Sequence, residues 1–132
     1  MEKKSALDVQ IDGQHYKNQK IQPIELSYNL GGTPAFCKLA KYLTREKNDK
    51  KVNLEKAYHC ICLEEDLVDC IQFYHDSDDI GFLEYKDYMI DEFSDNIFIR
   101  NALSAMYDRN YKVAKQNVKY YALEVLGEEV GD

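Results

Sequence analysis

The chain has 132 residues with 17 Lys or Arg and 24 Asp or Glu, which gives a net charge of −7. A chain of this length is typical of one domain with a single moderate core. The negative charge argues against nonspecific binding to nucleic acid or to an anionic membrane, and no segment approaches the roughly 18 apolar residues of a membrane span.

The charge is unevenly distributed along the chain. Residues 1–58 carry a net charge of +4, whereas residues 59–132 carry −11. A small anionic ligand is therefore expected to bind the first half. The acidic half instead suits a basic protein partner.

The four cysteines, Cys37, Cys60, Cys62 and Cys70, form no CxxC pair and lack the spacing of a zinc site. The first ten residues also contain no apolar segment of signal-peptide length. Together these features predict a reduced, cytoplasmic protein without a membrane partner.

The first 30 residues predict a flexible polar arm over residues 1–14, with a weak strand signal at Val9–Ile11, followed by a short helix. Pro23 suits the start of that helix, which is expected over Ile24 to Tyr28. Residues 29–32 include two glycines, which favour the left-handed backbone that ends a helix.

The next helix is the most informative stretch of the sequence. Thr33 is a good N-cap and Pro34 suits the first helical position. An apolar stripe follows at helical spacing, formed by Phe36, Leu39, Ala40 and Leu43. The opposite side carries a basic stripe, which we define as Lys38, Lys41 and Arg45.

A long central helix is predicted from an Asn53 N-cap to about His75, after a charged loop over residues 47–51. It has two apolar sides, which is typical of a helix packed by two neighbours. One side holds Leu54, Ala57, Tyr58, Ile61 and Val68, and the other holds Cys60, Leu63, Leu67, Cys70, Ile71 and Tyr74.

Three more helices are expected over Glu84 to Phe93, Asn96 to Asp108 and Tyr111 to Leu126, with Gly127 ending the last. Residues 97–99 also fit a short strand, but no partner strand is evident, so helix is preferred. The predicted fold is an all-α, compact bundle of about five to six helices around a long central helix.

Two groups of side chains suggest chemistry. The basic stripe could grip a phosphate, because Arg offers a fork of donors and Lys a mobile charge; the alternative is an ordinary solvated helix face. Glu65, Asp66 and Asp69 could hold Mg²⁺, although acidic helix faces are usually just solvated. No P-loop, GxGxxG, GxSxG or HExxH motif is present.

The order of short motifs between His15 and Ile61 resembles a family of short bacteriophage proteins described as nucleotide kinase-like. The matching pieces are His15-Tyr16, Ile21-Gln22-Pro23-Ile24-Glu25, Gly31-Gly32, Lys41-Tyr42-Leu43-Thr44-Arg45, the lysines 47, 50 and 51, and Asn53-Leu54-Glu55-Lys56-Ala57. The resemblance divides the single domain into the arm, a family-like core at 15–75 and a C-terminal helical extension at 76–132.

The resemblance implies a nucleotide-binding protein of the host bacterial cytoplasm that transfers phosphate from a nucleoside triphosphate to a deoxynucleoside monophosphate. Catalytic roles would fall to His15, Lys41 and Arg45. Nucleotide and phosphate binding would fall to Tyr16, Glu25, Lys38, Tyr42 and Lys56. Mg²⁺ would complete the site together with Glu25; separately from the resemblance, Glu65 and Asp69 on the acidic side of the central helix are candidate metal ligands. A homo-oligomer with ligand near a subunit interface is also expected.

Two other interpretations stay open. The protein could sequester a nucleotide signal or block a host protein in counter-defence without turnover. It could also be an all-α nucleotide pyrophosphohydrolase, in which Glu65, Asp66 and Asp69 bind Mg²⁺ and activate water. Loss of activity on removing those carboxylates would distinguish the hydrolase from the kinase.

Overall fold

The computed structural model describes residues 20–71 and 80–132. These residues form helices and loops without a strand, which confirms the predicted all-α fold. The six α-helices within the described residues are α1 (Pro23–Leu30), α2 (Pro34–Thr44), α3 (Lys50–Asp66), α4 (Ile80–Phe93), α5 (Ile97–Tyr107) and α6 (Tyr111–Leu126). The predicted arm and its strand at Val9–Ile11 lie outside the described residues.

The glycine pair ends α1 as predicted. Gly31 adopts a left-handed conformation with φ 65°, and its N–H donates to the Tyr28 carbonyl over 3.4 Å while the N–H of Gly32 donates to the Ser27 carbonyl over 2.9 Å. This is the Schellman arrangement of a helix C-terminus. The turn brings α2 back against α1 within three residues.

The central helix differs from its prediction at both ends. Its N-cap is Asp49, whose carboxylate accepts from the N–H groups of Lys51 and Val52 over 2.8 and 3.4 Å. Asn53 lies inside the helix, buried, and donates to the Lys47 carbonyl over 2.8 Å. The carboxylate provides an equally good cap one turn earlier, so the prediction of an Asn53 cap was wrong.

The regular part of α3 ends at Asp66, and a short 3₁₀ helix follows at Val68–Cys70. The predicted extension to His75 therefore fails at Leu67, and residues 72–79 are outside the described part of the chain. The second apolar side of α3 is also only partly covered: Cys60 is buried, whereas Leu63 and Leu67 remain 43% and 54% exposed.

The last three helices follow the predictions closely. Asn96 caps α5 by accepting from the N–H groups of Phe98 and Ile99, so residues 97–99 are helical as preferred. Gly127 ends α6 with φ 75°. The start of α4 lies one turn before the expected Glu84.

The helices pack as two antiparallel pairs, α2 with α3 and α5 with α6, and α1 and α4 close one side. One buried core joins them, with the apolar stripe of α2 fully buried at Phe36, Leu39, Ala40 and Leu43. The short α5–α6 connection includes Arg109 at φ 61°. No described helix combines the length and apolar content needed to cross a bilayer.

Candidate functional site

A cleft of about 530 Å³ opens between the N-terminal half of α2 and the C-terminal half of α3. Its volume lies within the usual range of small-molecule pockets. The lining is mostly apolar, and it comes from the α1–α2 turn, α2 and the end of α3: Gly31, Gly32, Thr33, Pro34, Ala35, Lys38, Cys60, Leu63, Glu64, Leu67, Cys70 and Ile71. The partly exposed second side of α3 is thus one wall of the cleft.

A buried carboxylate forms the inner end of the cleft. Glu64 is 5% exposed, and its two oxygens accept hydrogen bonds from different helices: the Thr33 hydroxyl donates to Oε1, and the Tyr111 hydroxyl donates to Oε2 over 2.8 Å. Burial and this hydrogen bond raise the pKa of Tyr111 far above its ordinary value. The Tyr111 hydroxyl therefore remains a donor at neutral pH.

The Thr33 hydroxyl forms two hydrogen bonds. Its oxygen accepts from the Phe36 N–H over 3.0 Å as the N-cap of α2, and the same hydroxyl donates to Glu64. The start of α2 is thereby fixed to both α3 and α6. A recess of about 30 Å³ on the other side of Glu64 is lined by Gly31, Thr33, Tyr107 and Arg109, among others.

Glu64 was missed by the sequence analysis, which considered only its acidic neighbours. The signal was present, because residue 64 follows Cys60 and Ile61 by four and three positions and so shares their buried side. A carboxylate at a buried helix position requires hydrogen-bond donors. Thr33 and Tyr111, distant in sequence, supply them.

Three residues of the predicted nucleotide site lie along the outer side of the α2–α3 pair. Lys38 is exposed and lines the cleft. It also faces Cys60, whose thiol pKa is raised by burial, with the Lys38 charge acting in the opposite direction. One turn further along, the Lys56 ammonium lies 5.6 Å from the centre of the Tyr42 ring. The predicted binding residues Lys38, Tyr42 and Lys56 thus form one surface strip.

The remaining members of the basic stripe lie further from the cleft. Lys41 and Arg45 are partly exposed and do not line it. Lys38 and Arg45 are separated by about 10 Å along the helix axis at 1.5 Å per residue. The Nε of Arg45 is buried and meets no hydrogen-bond acceptor among the described residues. The stripe therefore extends over two turns and does not converge on one point.

Glu25 and Lys50, which belong to the motifs of the resemblance, have structural partners. Glu25 accepts from the Gln22 N–H over 3.3 Å at the start of α1. Lys50 donates to the carbonyls of Leu43 and Arg45, over 3.4 Å each, at the end of α2, and burial lowers its pKa. These contacts stabilise helix ends. The glycine N–H groups of the α1–α2 turn are likewise used within the chain.

The candidate metal ligands Glu65 and Asp69 are exposed. Lys115 donates a hydrogen bond to the Glu65 carboxylate over 2.7 Å. The described residues contain no group of three His, Cys, Asp or Glu side chains arranged to hold a metal ion. His15 and Tyr16 lie outside the described residues. Of the predicted site residues that the structure describes, Lys38 lines the cleft, and Tyr42 and Lys56 continue the surface strip beside it.

Comparison of the chain with protein-family models, with curated proteins and with solved structures finds no significant match.

Proposed function

We propose that this protein binds a nucleotide in the α2–α3 cleft, with the base among the apolar side chains and the phosphates near Lys38. The observation that carries the proposal is the cleft itself, which is large enough for a small molecule and has an apolar body with one lysine beside it. In a pocket of this kind, the apolar lining buries a ring of the ligand and a few polar groups fix the orientation of the ligand. The bacteriophage nucleotide kinase-like resemblance supports the same ligand class.

The strip beyond Lys38 extends the site toward additional phosphates. The Lys56 ammonium lies above the Tyr42 ring, and the ring quadrupole attracts it there. Lys41 and Arg45 are one and two turns from Lys38 and add positive potential to the same helix. A triphosphate chain leaving the cleft would follow this positive surface.

The resemblance also suggests that a nucleoside triphosphate donates its phosphoryl group to a bound monophosphate. Lysines would contribute by neutralising charge on the transferring group, which is the main requirement of phosphoryl transfer. Mg²⁺ commonly accompanies such substrates, but Glu65 is paired with Lys115 and the described residues present no fitting ligand group. We therefore assign no step to the metal.

The test is a calorimetric titration of the protein with nucleoside mono- and triphosphates, with and without Mg²⁺, followed by a product assay on any nucleotide that binds. Lys38→Ala is expected to weaken binding about tenfold, as loss of one charge-assisted contact predicts. Lys112→Ala is the matched control, because it removes one exposed lysine from α6. No binding, or equal loss in both variants, would contradict the proposal.

Product formation decides between phosphotransfer and sequestration without turnover. Transfer of the γ-phosphate to a monophosphate would support a kinase, and release of pyrophosphate would support the hydrolase interpretation. A ligand that binds tightly and is recovered unchanged would support sequestration. Light scattering with and without the ligand tests the proposed homo-oligomer.

A second candidate function, binding a basic protein, is favoured by the outer side of α4. Glu84, Asp87, Tyr88 and Asp91 are all exposed there, with Tyr88 at 59%. Carboxylates next to an exposed tyrosine suit arginine side chains, which pair with acids and stack on aromatic rings. A deca-arginine peptide should bind the Asp87→Asn/Asp91→Asn variant more weakly than the wild type. Its affinity for the control variant Glu55→Gln, which changes an exposed carboxylate on α3, should equal that of the wild type.

A further inference from the structure

The segment after α6, residues 127–132, folds back onto the outer surface of α3 and α6. It leaves α6 at Gly127, and Glu128 forms an ion pair of 2.9 Å with Lys51 at the start of α3. Val130 is 3% exposed, so it anchors the segment by burying an apolar side chain. Lys119 of α6 donates to the main-chain carbonyl of Asp132 over 2.6 Å.

Tyr58 lies under the last described part of this segment. An added Cβ on Gly131 would come within 2.7 Å of the Tyr58 ring, and Gly131 has φ 83°. The main chain of Gly131 therefore lies directly against the aromatic ring, in a conformation that favours glycine. A planar peptide group thus contacts this ring.

Two lysines surround the same ring. The ammonium of Lys119 is 5.6 Å and that of Lys115 is 6.0 Å from the ring centre. The nearby Tyr58 hydroxyl and the positive charges of both lysines lower the pKa of Asp132. Asp132 therefore lies beside Tyr58 with its main-chain carbonyl bonded to Lys119, and Lys115, which is paired with Glu65 over 2.7 Å, lies near the same ring.

We propose that Tyr58, Lys115 and Lys119 form a second binding site, for a small phosphomonoester with a planar organic group, and that Gly131 and Asp132 occupy this site as an internal competitor. The Asp132 carboxylate stands where the phosphate would bind, and the Gly131 peptide lies where the planar group would contact the ring. Lysine is a common phosphate ligand because it provides a mobile point charge. The aromatic face adds contact area for the planar group.

This site is separate from the α2–α3 cleft. Tyr58 belongs to the side of α3 that faces α6, whereas the cleft uses Cys60, Leu63 and Leu67. The ligand of the second site must displace the segment, so its apparent affinity is reduced by the fraction of molecules in which the segment is bound. Weakening the segment should therefore strengthen binding of the external ligand, which an ordinary stabilising contact would not do.

The experiment titrates phenyl phosphate into ¹⁵N-labelled full-length protein and follows the Gly131 amide by NMR. We expect Asp132→Ala and, separately, Val130→Asp to bind on the order of tenfold more tightly than the wild type, because the first removes the competing carboxylate and the second removes the buried side chain that anchors the segment. Glu129→Ala is the matched control, since it removes an exposed carboxylate of the same segment. Lys119→Ala should lose binding in the Asp132→Ala background.

In the wild type, saturating phenyl phosphate should move the Gly131 amide toward its position in the Val130→Asp variant, in which the segment is released. The proposal is overturned if neither released variant binds phenyl phosphate more tightly than the Glu129→Ala control, or if Lys119→Ala leaves the affinity unchanged. Neither result depends on nucleotide binding in the cleft, so the two proposals fail separately.

Discussion

Replacing Thr33 by valine tests whether Glu64 fixes the wall of the cleft. Valine keeps the shape and β-branching of threonine but has no hydroxyl, so the substitution removes two hydrogen bonds without creating a large cavity. One is the N-cap bond to the Phe36 N–H, and the other is the bond to the Glu64 carboxylate. Serine at the same position retains both bonds and is the matched control.

The expected loss follows from these two contacts. An N-cap is typically worth about 1 kcal/mol, and a hydrogen bond to a charged group contributes roughly 1.5–3 kcal/mol. Glu64 is only 5% exposed, at the inner end of the cleft, so solvent replaces the lost donor only in part. We therefore expect Thr33→Val to lower the free energy of unfolding by about 3 kcal/mol, and Thr33→Ser by less than about 1 kcal/mol.

Urea denaturation followed by far-ultraviolet circular dichroism measures the effect. With an m-value of about 1.5 kcal/mol/M, the midpoint should fall by about 2 M in Thr33→Val. Adding Tyr111→Phe should give less than the sum of the single effects, because both hydroxyls donate to the same carboxylate. A Thr33→Val protein within 0.5 kcal/mol (roughly the scatter of neutral substitutions) of the wild type would refute this role for Glu64.

The buried Lys86 ammonium donates to both oxygens of the half-exposed Asp108 carboxylate, over 3.0 and 3.2 Å. In urea titrations, Asp108→Ala should destabilise the protein by about 1–2 kcal/mol, because it leaves a buried charge without its partner. Lys86→Met should be nearly neutral, because the remaining carboxylate is half exposed to solvent. Gly32→Ala should destabilise it by about 1–3 kcal/mol in the same assay, because the new Cβ would lie 2.5 Å from the Phe36 ring. Burial raises the pKa of Tyr107 from 10.0 to about 12; the unfolded chain therefore loses this proton first, and stability should fall as pH rises from about 10 to about 12, less steeply in Tyr107→Phe.

The helices were predictable because their signals are local. The apolar stripe of α2, its Thr33 cap and the Gly127 stop each depend on residues within one or two turns, and all three lie as expected. The start of α3 was wrong for a local reason as well: Asp49 and Asn53 are both good caps, one turn apart. Only the fold chooses between them, by burying Asn53 against the Lys47 carbonyl.

The cleft could not be derived from local pattern. Its walls come from the α1–α2 turn and from the end of α3, which are about 30 residues apart, and its inner end depends on a hydrogen bond between Glu64 and Tyr111, 47 positions apart. The pattern identified Leu63 and Leu67 as apolar, but it could not show that no described helix covers them. Exposure of an apolar helix side is a property of the packing.

The same network connects the walls of the cleft. Glu64 joins α2, α3 and α6 through two hydroxyl donors, so the α2 wall cannot move away from α3 without leaving a buried carboxylate short of a donor. That penalty is larger than most surface contacts contribute. A ligand in the cleft therefore meets a preformed wall, and its binding should stabilise the fold by mass action without rearranging the helices.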